Sequence, residues 1–260
     1  MVKINSLKFK YPNSKKEVLK NINLEVNQGD YISIVGENGC GKSTLLKLIL
    51  KLLKIQKGEI IINAKKIGYL PQKKENLNDF PITLFELLNS YRKILKIREN
   101  GCALKALERV NLTEYKNSLA GELSGGQLQK LYIARALIGD PDLLILDEPS
   151  TGIDVQGQKE IYSFVKDLNV KKGLTVISVD HNLDAAIFNS TKIFHIKNGE
   201  GHLCNPQQYT SEFFSSHEFI NFTIVILVML SETPFFISSS ISSFLTFNLF
   251  ETSVFVYLEM

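Results

Sequence analysis

The sequence alternates between two patterns of apolar and polar positions, one with the period of a strand and one with the period of a helix. Short apolar runs, and runs in which apolar and polar residues alternate, predict β-strands. These are Leu7–Tyr11, Tyr31–Val35, Gly58–Ile62, Ile67–Leu70, Leu143–Leu146, Leu174–Val179 and Lys192–Ile196. Longer segments whose apolar residues recur every three or four positions predict α-helices. These are Lys42–Leu53, Leu84–Leu95, Cys102–Val110, Gly125–Ile138, Gly157–Leu168 and Leu183–Phe188.

The order of these elements predicts an α/β fold with a mostly parallel sheet. Strands that alternate with helices pair in parallel, and the helices cover both faces of the sheet. Between Ile82 and Leu119 the pattern is helical only, which breaks the alternation. No internal repeat is visible in the sequence, so we expect a single copy of the domain.

A glycine-rich segment lies between the strand Tyr31–Val35 and the helix that begins at Lys42. Residues 36–43 read GENGCGKS and match the phosphate loop G-x-x-x-x-G-K-[ST] in the strand–loop–helix context it requires. Glycines let backbone N–H groups turn toward phosphate oxygens, and the helix N-terminus points its positive end at them. Lys42 is expected to reach the β- and γ-phosphates of ATP, and Ser43 to ligate Mg²⁺. The expected nucleotide contacts are Gly36, Asn38, Gly39, Cys40, Gly41, Lys42, Ser43 and Thr44.

Two carboxylates end the buried strand that residues 143–146 predict. Asp147 and Glu148 follow the run LLIL, and an unpaired charge at such a position is costly. Asp147 is expected to hold Mg²⁺ through water, and Glu148 to point elsewhere and polarise the attacking water as a general base. Paired acids at a strand end also form plain turns, but the phosphate loop upstream favours the catalytic interpretation.

The segment LSGGQ, residues 123–127, precedes a predicted helix and allows two interpretations that are compatible with each other. Ser124 and Gln127 have the spacing of a capping box, so Ser124 could serve only as a helix cap. That interpretation leaves Gly125 and Gly126 unexplained, since glycine costs up to about 1 kcal/mol relative to alanine in a helix. Bare backbone N–H groups are useful where they must touch an anion.

Composition excludes few functions. The net charge of +3 argues neither for nor against nucleic acid, and the scattered lysines indicate a solvated surface. Cys40, Cys102 and Cys204 are odd in number, far apart and without Cys-x-x-Cys spacing, which favours a reducing cytoplasm over a disulfide framework. Cys40 is interpreted as a small residue in a tight loop. No signal peptide is expected at the N-terminus.

The composition changes abruptly near residue 218. Residues 218–260 contain no Lys, Arg or His, but they hold half of the chain's 16 phenylalanines. We therefore expect one domain over residues 1–217 and a separate tail over 218–260. Its apolar run Phe219–Leu230 is short of the about 20 residues that span a bilayer. Three interpretations stay open: a frameshifted reading past a natural end, a membrane-associated hairpin, and a partner-binding extension.

LSGGQ resembles the signature of the ABC ATPases, and the other motifs occur in the order of that family. Residues 36–44 resemble their Walker A motif, 143–148 their Walker B motif and 151–154 (TGID) their D-loop. The resemblance extends over about residues 1–215. Further matches are the Q-loop glutamine, the switch histidine and the aromatic residue that stacks on adenine, namely Gln72, His181 and Tyr11, with Phe9 as a rival for the last.

The resemblance implies a P-loop NTPase core with a small antiparallel β subdomain and an inserted α-helical subdomain over about residues 76–122. It implies a homodimer in which Ser124, Gly125, Gly126 and Gln127 of one copy act on the ATP held by the other. Lys42, His181 and Mg²⁺ would stabilise charge, with Gln72 as a further catalytic residue and Mg²⁺ ligand beside Ser43 and Asp147. The partners implied are a membrane permease, docked after Gln72 at the cytoplasmic face of the cell membrane, and indirectly a substrate-binding protein. Nucleic acid is not expected.

Three stretches are similar to the subgroup that imports zinc and manganese: residues 79–83 (DFPIT), 152–158 (GIDVQGQ) and 181–184 (HNLD). Siderophore, haem or cobalt importers are the nearest alternatives. A soluble ABC ATPase of translation, repair or cluster assembly is a further one, and an unrelated P-loop kinase would leave LSGGQ without a role. His195, His202 and His217 have no metal-ligand spacing and are interpreted as structural or surface residues. Asp180 and Asn182 depart from the family pattern around His181, which leaves the electrostatics of that residue open.

Overall fold

The computed structural model describes residues 1–12, 14–72 and 80–213 of the 260. Its strands are β1 Val2–Phe9, β2 Leu19–Val26, β3 Tyr31–Val35, β4 Lys57–Ile62, β5 Ile67–Leu70, β6 Leu143–Asp147, β7 Thr175–Val179, β8 Lys192–Lys197 and β9 Glu200–Cys204. Its helices are α1 Lys42–Ile49, α2 Leu84–Ile94, α3 Cys102–Arg109, α4 Gly125–Ala136, α5 Val155–Lys172, α6 Leu183–Asn189 and α7 Pro206–Phe213. One compact unit covers Met1–Ser211. The predicted boundary at residue 217 and the tail lie outside the described residues.

The described strands form one sheet in the order β4-β1-β2-β9-β8-β3-β7-β6-β5. β8, β3, β7, β6 and β5 pair in parallel, whereas β1 pairs antiparallel with β2 and β4. Between β5 and β6 the described elements are helical: α2, α3 and the short 3₁₀ turns Thr113–Tyr115 and Ala120–Glu122. The predicted α/β fold, with its mostly parallel sheet, antiparallel part and helical part, is confirmed.

Apolar side chains of the sheet belong to two cores, one on each face. On β6, Leu144 and Leu146 pack with α2 to α5, while Leu143 and Ile145 pack with α1 and the antiparallel strands. This division follows from the period of two in a strand, which sends alternate side chains to opposite faces. A continuous apolar run such as LLIL is therefore what a strand covered on both faces requires.

Among the described strands and helices, three were not predicted from the sequence, and several boundaries differ from the predicted ones, including the start of β1 at Val2 and the end of α5 at Lys172. β2, β9 and α7 were missed; in β2 the alternation is interrupted because the register against β1 shifts between Leu19 and Ile22. Helix α1 ends at Ile49 rather than at Leu53, because Lys51 adopts a left-handed backbone with φ of 58°. β1 ends at Phe9, so Tyr11 follows the strand instead of lying in it.

The ends of three parallel strands position the site. Ile34 of β3 and Asp147 of β6 both pair with Val179 of β7, so the residues after these strands meet at one edge of the sheet. The phosphate loop follows β3, Glu148 follows β6, and Asp180 and His181 follow β7. Carboxyl ends of parallel strands are where α/β folds hold their ligands.

Candidate functional site

The loop between β3 and α1 has a backbone that only glycine can adopt at two positions. Gly36 has φ of 144°, and a Cβ there would lie against the carbonyl oxygen of Ile196, closer than real Cβ atoms are found. Gly41 has φ of 112° and caps α1, and its Cβ would lie 2.7 Å from Leu19 Cδ2. The packing of β2 and β8 against the loop thus leaves no room for a side chain at these two positions, and glycine is required at both.

Lys42 places a nearly buried positive charge inside this loop. Its side chain is 5% exposed, and its Nζ donates hydrogen bonds to the carbonyl oxygens of Gly36 (2.7 Å) and Glu37 (2.9 Å). The ammonium and the N-terminus of α1 therefore lie at the same end of the loop, an arrangement that attracts anions.

Ser43 and Asp147 come together from α1 and the end of β6. The Ser43 hydroxyl donates to Asp147 Oδ1 at 3.3 Å, and Asp147 is buried. Burial raises the pKa of the Asp147 carboxyl above its usual value, although the hydrogen bond from Ser43 opposes the rise. A hydroxyl and a carboxylate in contact are oxygen donors of the kind that Mg²⁺ prefers.

Glu148, the residue after Asp147, contacts His181. Its backbone φ of 54° turns the chain sharply, and its N–H donates to the Val179 carbonyl at 3.1 Å. Glu148 Oε1 lies 2.6 Å from His181 Nε2, and Oε2 accepts a hydrogen bond from the Thr151 hydroxyl at 3.1 Å. Burial opposes ionisation of Glu148, but hydrogen bonds from His181, Gln72 and Thr151 outweigh it and lower the pKa of the carboxyl.

These groups surround a cavity of about 390 Å³. Its lining residues are Tyr11, Val18, Asn38, Gly39, Gly41, Lys42, Ser43, Thr44, Gln72, Glu148 and His181. The Tyr11 hydroxyl lies 3.1 Å from Thr44 Oγ1, and the Phe9 ring packs edge-on against the Tyr11 ring, so Tyr11 rather than Phe9 reaches the cavity. Most of the predicted nucleotide contacts therefore share one space, which is large enough for a small ligand.

Cys40 lies in the phosphate loop beside Lys42 but does not line this cavity. Its thiol is half-buried; burial raises the pKa of the thiol, and the Lys42 charge opposes the rise. The structure therefore assigns Cys40 to the body of the loop, where its sulfur packs next to Gly36.

The signature residues occupy a different surface of the chain. Ser124 caps α4: its Oγ accepts from the Gln127 N–H at 3.3 Å, and Gln127 Oε1 accepts from the Ser124 N–H at 3.0 Å. The predicted capping box is present. Within the described chain, a Cβ on Gly126 would meet no atom within 4 Å, and one on Gly125 only the Gly152 carbonyl at 3.8 Å. Capping therefore explains Ser124 and Gln127 but does not require either glycine.

Sequence reasoning missed two residues of the site. Thr151 was placed in the D-loop without a role, yet its hydroxyl holds Glu148. The signal was its position three residues after Glu148, the spacing of a turn. Val18 lines the cavity from the segment before β2, and no pattern in the sequence points to it.

A family model described as ABC transporter matches residues 19–151, which is about half of the chain and includes the phosphate loop, the signature, Asp147 and Glu148. The chain belongs to the ABC transporter family. The prediction that it is an ATP-hydrolysing subunit of this type is confirmed.

Relatives with curated names extend over most of the chain. The "Probable metal transport system ATP-binding protein" of Treponema pallidum is 53% identical over 212 residues, covering 82% of this chain and 89% of the relative. The zinc uptake system ATP-binding protein ZurA of Listeria innocua is 37% identical, with 75% and 81% covered. The zinc import ATP-binding protein ZnuC of Haemophilus influenzae is also 37% identical, with 74% and 69% covered.

A solved structure of a dimeric ATP-binding cassette in a post-hydrolysis state, bound to ADP and Pi, superposes with a TM-score of 0.67 at 30% identity. The match covers 79% of this chain and 99% of that one. Among residues 1–12, 14–72 and 80–213, no helix combines the length and the apolar character needed to cross a membrane.

Proposed function

We propose that this chain hydrolyses ATP with Mg²⁺ as one half of a homodimer and so drives a permease that imports a divalent metal ion, zinc or manganese. The observation that carries the proposal is the Glu148–His181 contact of 2.6 Å at the wall of the cavity that also holds Lys42 and Ser43. A carboxylate, an imidazole and an ammonium that line one cavity suit the transfer of a phosphoryl group to water.

In this proposal each residue has one task. Lys42 exchanges the carbonyl oxygens of Gly36 and Glu37 for the β- and γ-phosphates of ATP. Glu148, whose pKa is lowered, is ionised at neutral pH and orients the attacking water as a general base. His181 holds the Glu148 carboxylate and stabilises charge at the γ-phosphate, and the Tyr11 ring stacks on adenine.

The donor set fits Mg²⁺. Ser43, Asp147 and Gln72 offer a hydroxyl, a carboxylate and an amide oxygen, and Mg²⁺ favours such oxygen ligands while keeping several waters. When bound, the ion neutralises charge on the β- and γ-phosphate oxygens.

The homodimer accounts for the exposed signature. In a two-fold dimer Ser124, Gly125, Gly126 and Gln127 of one copy would approach the nucleotide of the other, and both sites would be equivalent. The related cassette that binds ADP and Pi is dimeric. The permease would dock at the segment after Gln72, at the cytoplasmic face of the membrane, and residues 73–79 of that segment lie outside the described residues.

The metal cargo rests on the relatives in Treponema, Listeria and Haemophilus, whose names specify metal transport or zinc import. The ATPase subunit does not contact the cargo, so a siderophore, haem or cobalt importer is the alternative. A substrate-binding protein would deliver the cargo to the permease, and nucleic acid has no part in this function.

Glu148→Gln tests the chemistry. It should retain ATP binding, lose turnover by about 10²–10⁴-fold because water activation is lost, and elute as a dimer in ATP on size exclusion. Glu160→Gln is the matched control, because it changes an exposed carboxylate on α5 whose ion pair is with Lys130 at the surface. If Glu148→Gln stays monomeric in ATP and still hydrolyses it, Glu148 is not the general base.

Cellular metal content tests the cargo. Cells that lack the gene should hold less zinc or manganese by mass spectrometry, and wild type should restore the content while Glu148→Gln should not. A selective loss of iron or cobalt would instead favour the siderophore, haem or cobalt alternative, and unchanged metals would overturn the transport proposal.

A further inference from the structure

A buried carboxylate lies next to the Glu148–His181 pair and has no part in the function proposed above. Asp180 is 1% exposed. Its Oδ1 accepts hydrogen bonds from the Tyr162 hydroxyl (2.9 Å) and the Ser178 hydroxyl (3.0 Å), and its Oδ2 accepts from the Ser33 hydroxyl (2.8 Å). A carboxylate this deep in the protein is tolerated only when such donors satisfy it.

Strand periodicity explains how these groups meet. Tyr31 and Ser33 share one face of β3, and Ser178 lies on the same face of β7, because alternate residues point the same way. Helix α5 covers this face and brings Tyr162 over it. The Tyr31 side chain also borders the cluster: burial, together with the Asp180 charge, raises the pKa of its hydroxyl.

Tyr162 connects Asp180 to the loop that carries Glu148. Its hydroxyl lies 3.0 Å from Ser150 Oγ, and Ser150 directly precedes Thr151, the residue that donates to Glu148. The preceding carbonyl, that of Pro149, accepts a hydrogen bond from Gln129 of the signature helix α4. The segment just before the D-loop is thus held from both α4 and α5.

Asp180 is also fixed to the strand that leads into the phosphate loop. Its N–H donates to the Ile34 carbonyl at 3.1 Å, and the residue that follows it in the chain is His181. Asp180 is therefore adjacent in sequence to His181. Its carboxylate is also linked through Tyr162 to the loop that carries Glu148.

We propose that Asp180 and Tyr162 are positioning residues for ATP hydrolysis, which hold Ser150, the residue before the D-loop, in register with His181 so that Glu148 keeps its orientation. The inference rests on the roles of Glu148 and His181 in the proposed function. A shift of about 1 Å in a catalytic group can cost about 10²-fold in rate, so a buried link between the two segments has a direct kinetic effect. It also gives a role to Asp180, which departs from the family pattern: its carboxylate turns toward the core and Tyr162.

The structure offers a matched pair of variants. Tyr162→Phe and Ser178→Ala each remove one hydroxyl donor from the same oxygen, Asp180 Oδ1, but only Tyr162 reaches Ser150. A role limited to stability predicts that both variants behave alike. A positioning role predicts that they differ in turnover.

The full chain and its variants are assayed for ATPase rate, ATP binding with a fluorescent analogue, and thermal melting. Tyr162→Phe and Ser150→Ala should each lower kcat about tenfold with KM for ATP unchanged within about twofold, whereas Ser178→Ala should keep kcat within about twofold. The double variant Tyr162→Phe/Ser150→Ala should be no slower than Tyr162→Phe, because both break the same link. Similar losses of melting temperature in Tyr162→Phe and Ser178→Ala are expected, since each leaves Asp180 short of one donor.

Equal kcat for Tyr162→Phe and Ser178→Ala, whether both fall or both stay, overturns the positioning role. Additive losses in the double variant overturn the link through Ser150. Glu148→Gln and His181→Ala are measured beside them: if these two keep wild-type turnover, the proposed function fails. If they lose turnover while Tyr162→Phe does not, only this inference fails.

Discussion

The phosphate loop and the signature loop are both rich in glycine, but the described chain itself requires glycine only in the first. At Gly36 and Gly41 a Cβ would collide with Ile196 and Leu19, and the backbone is left-handed at both. At Gly126 a Cβ would meet no atom of the described chain within 4 Å, and the signature helix begins there without left-handed strain.

The two loops therefore contain glycine for different reasons. The first loop is shaped by the strands packed behind it, so its glycines would be needed even without a ligand. The glycines of the signature gain nothing from the chain's own packing and weaken the first turn of α4. A close approach by a group outside the chain would explain them, and in the proposed homodimer that group is the nucleotide of the second copy.

The largest effect is expected at the first loop. Gly36→Ala places a methyl group against the Ile196 carbonyl in a backbone that alanine rarely adopts, and such overpacking costs about 1–3 kcal/mol. We expect a lower melting temperature and a loss of ATP affinity of at least about tenfold. Gly29→Ala is the control, because Gly29 has φ of 80° but no atom within 4 Å of a Cβ, so it carries the backbone strain without the collision. If both variants lose melting temperature and ATP affinity equally, the packing around the phosphate loop does not require glycine.

The second effect has the opposite sign for stability. Gly126→Ala should leave the melting temperature unchanged or raise it, because alanine favours the helix by up to about 1 kcal/mol. ATP binding to the isolated chain should persist, while turnover at saturating ATP should fall at least about tenfold, since a donor that faces the nucleotide is blocked. Wild-type turnover in Gly126→Ala would contradict a ligand role for this glycine.

Mixing two inactive variants tests whether the signature of one copy acts on the nucleotide of the other. Lys42→Ala removes the ammonium of the phosphate loop, and Gly126→Asp places a repelling carboxylate at the signature. If the two motifs act across a dimer, each mixed dimer contains one site with both intact. Because random pairing makes at most half of the dimers mixed, activity should reappear at up to about a quarter of the wild-type rate. No recovery at any mixing ratio, with dimers present on size exclusion, would place both motifs in one chain.

The smallest effect is expected from the tail. Deleting residues 218–260 should leave the melting temperature, ATP binding and turnover near their full-length values, because all the residues proposed for the site lie between Tyr11 and His181. Uncharged apolar segments are also prone to association, so the shorter chain should be more soluble. A melting temperature lower by several degrees would show that the tail belongs to the domain.

The parts of the fold that the sequence predicts are those with strong local signals. Buried parallel strands such as β6 are continuous apolar runs. The turn at Asn198–Gly199, with positive φ at both residues, joins β8 to β9, and β9 was missed because a single residue of that strand, Cys204, is buried. The apolar pattern also could not end α1 at Ile49, since Lys51 is an ordinary helix former. The left-handed turn at Lys51 is closed locally, because the N–H groups of Leu52 and Leu53 both donate to the Lys47 carbonyl.

For the site, the motifs predicted the phosphate loop, Glu148 and His181 as residues of one cavity, because strand ends converge in this topology. They did not predict the hydrogen-bond partners that fix these residues. Thr151, Tyr162 and Ser178 reach Glu148 or Asp180 from separate parts of the fold, and their hydroxyls have no periodic signal along the chain. Asp180 stood out only as a departure from a family pattern, and its three donors became visible in three dimensions.

The two carbonyl contacts of Lys42 bear on the speed of nucleotide exchange. Lys42 Nζ donates to the Gly36 and Glu37 carbonyl oxygens, so the lysine itself helps to hold the loop in its curved form. In the proposed function, a phosphate that binds here would replace these two carbonyl oxygens as the partner of the ammonium. A loop that is already curved would then lose little further conformational entropy on binding. The affinity that Lys42 contributes would be the difference in free energy between its contacts with phosphate and its contacts with the two carbonyl oxygens. The loop would thus bind ATP less tightly but would need little rearrangement to bind it.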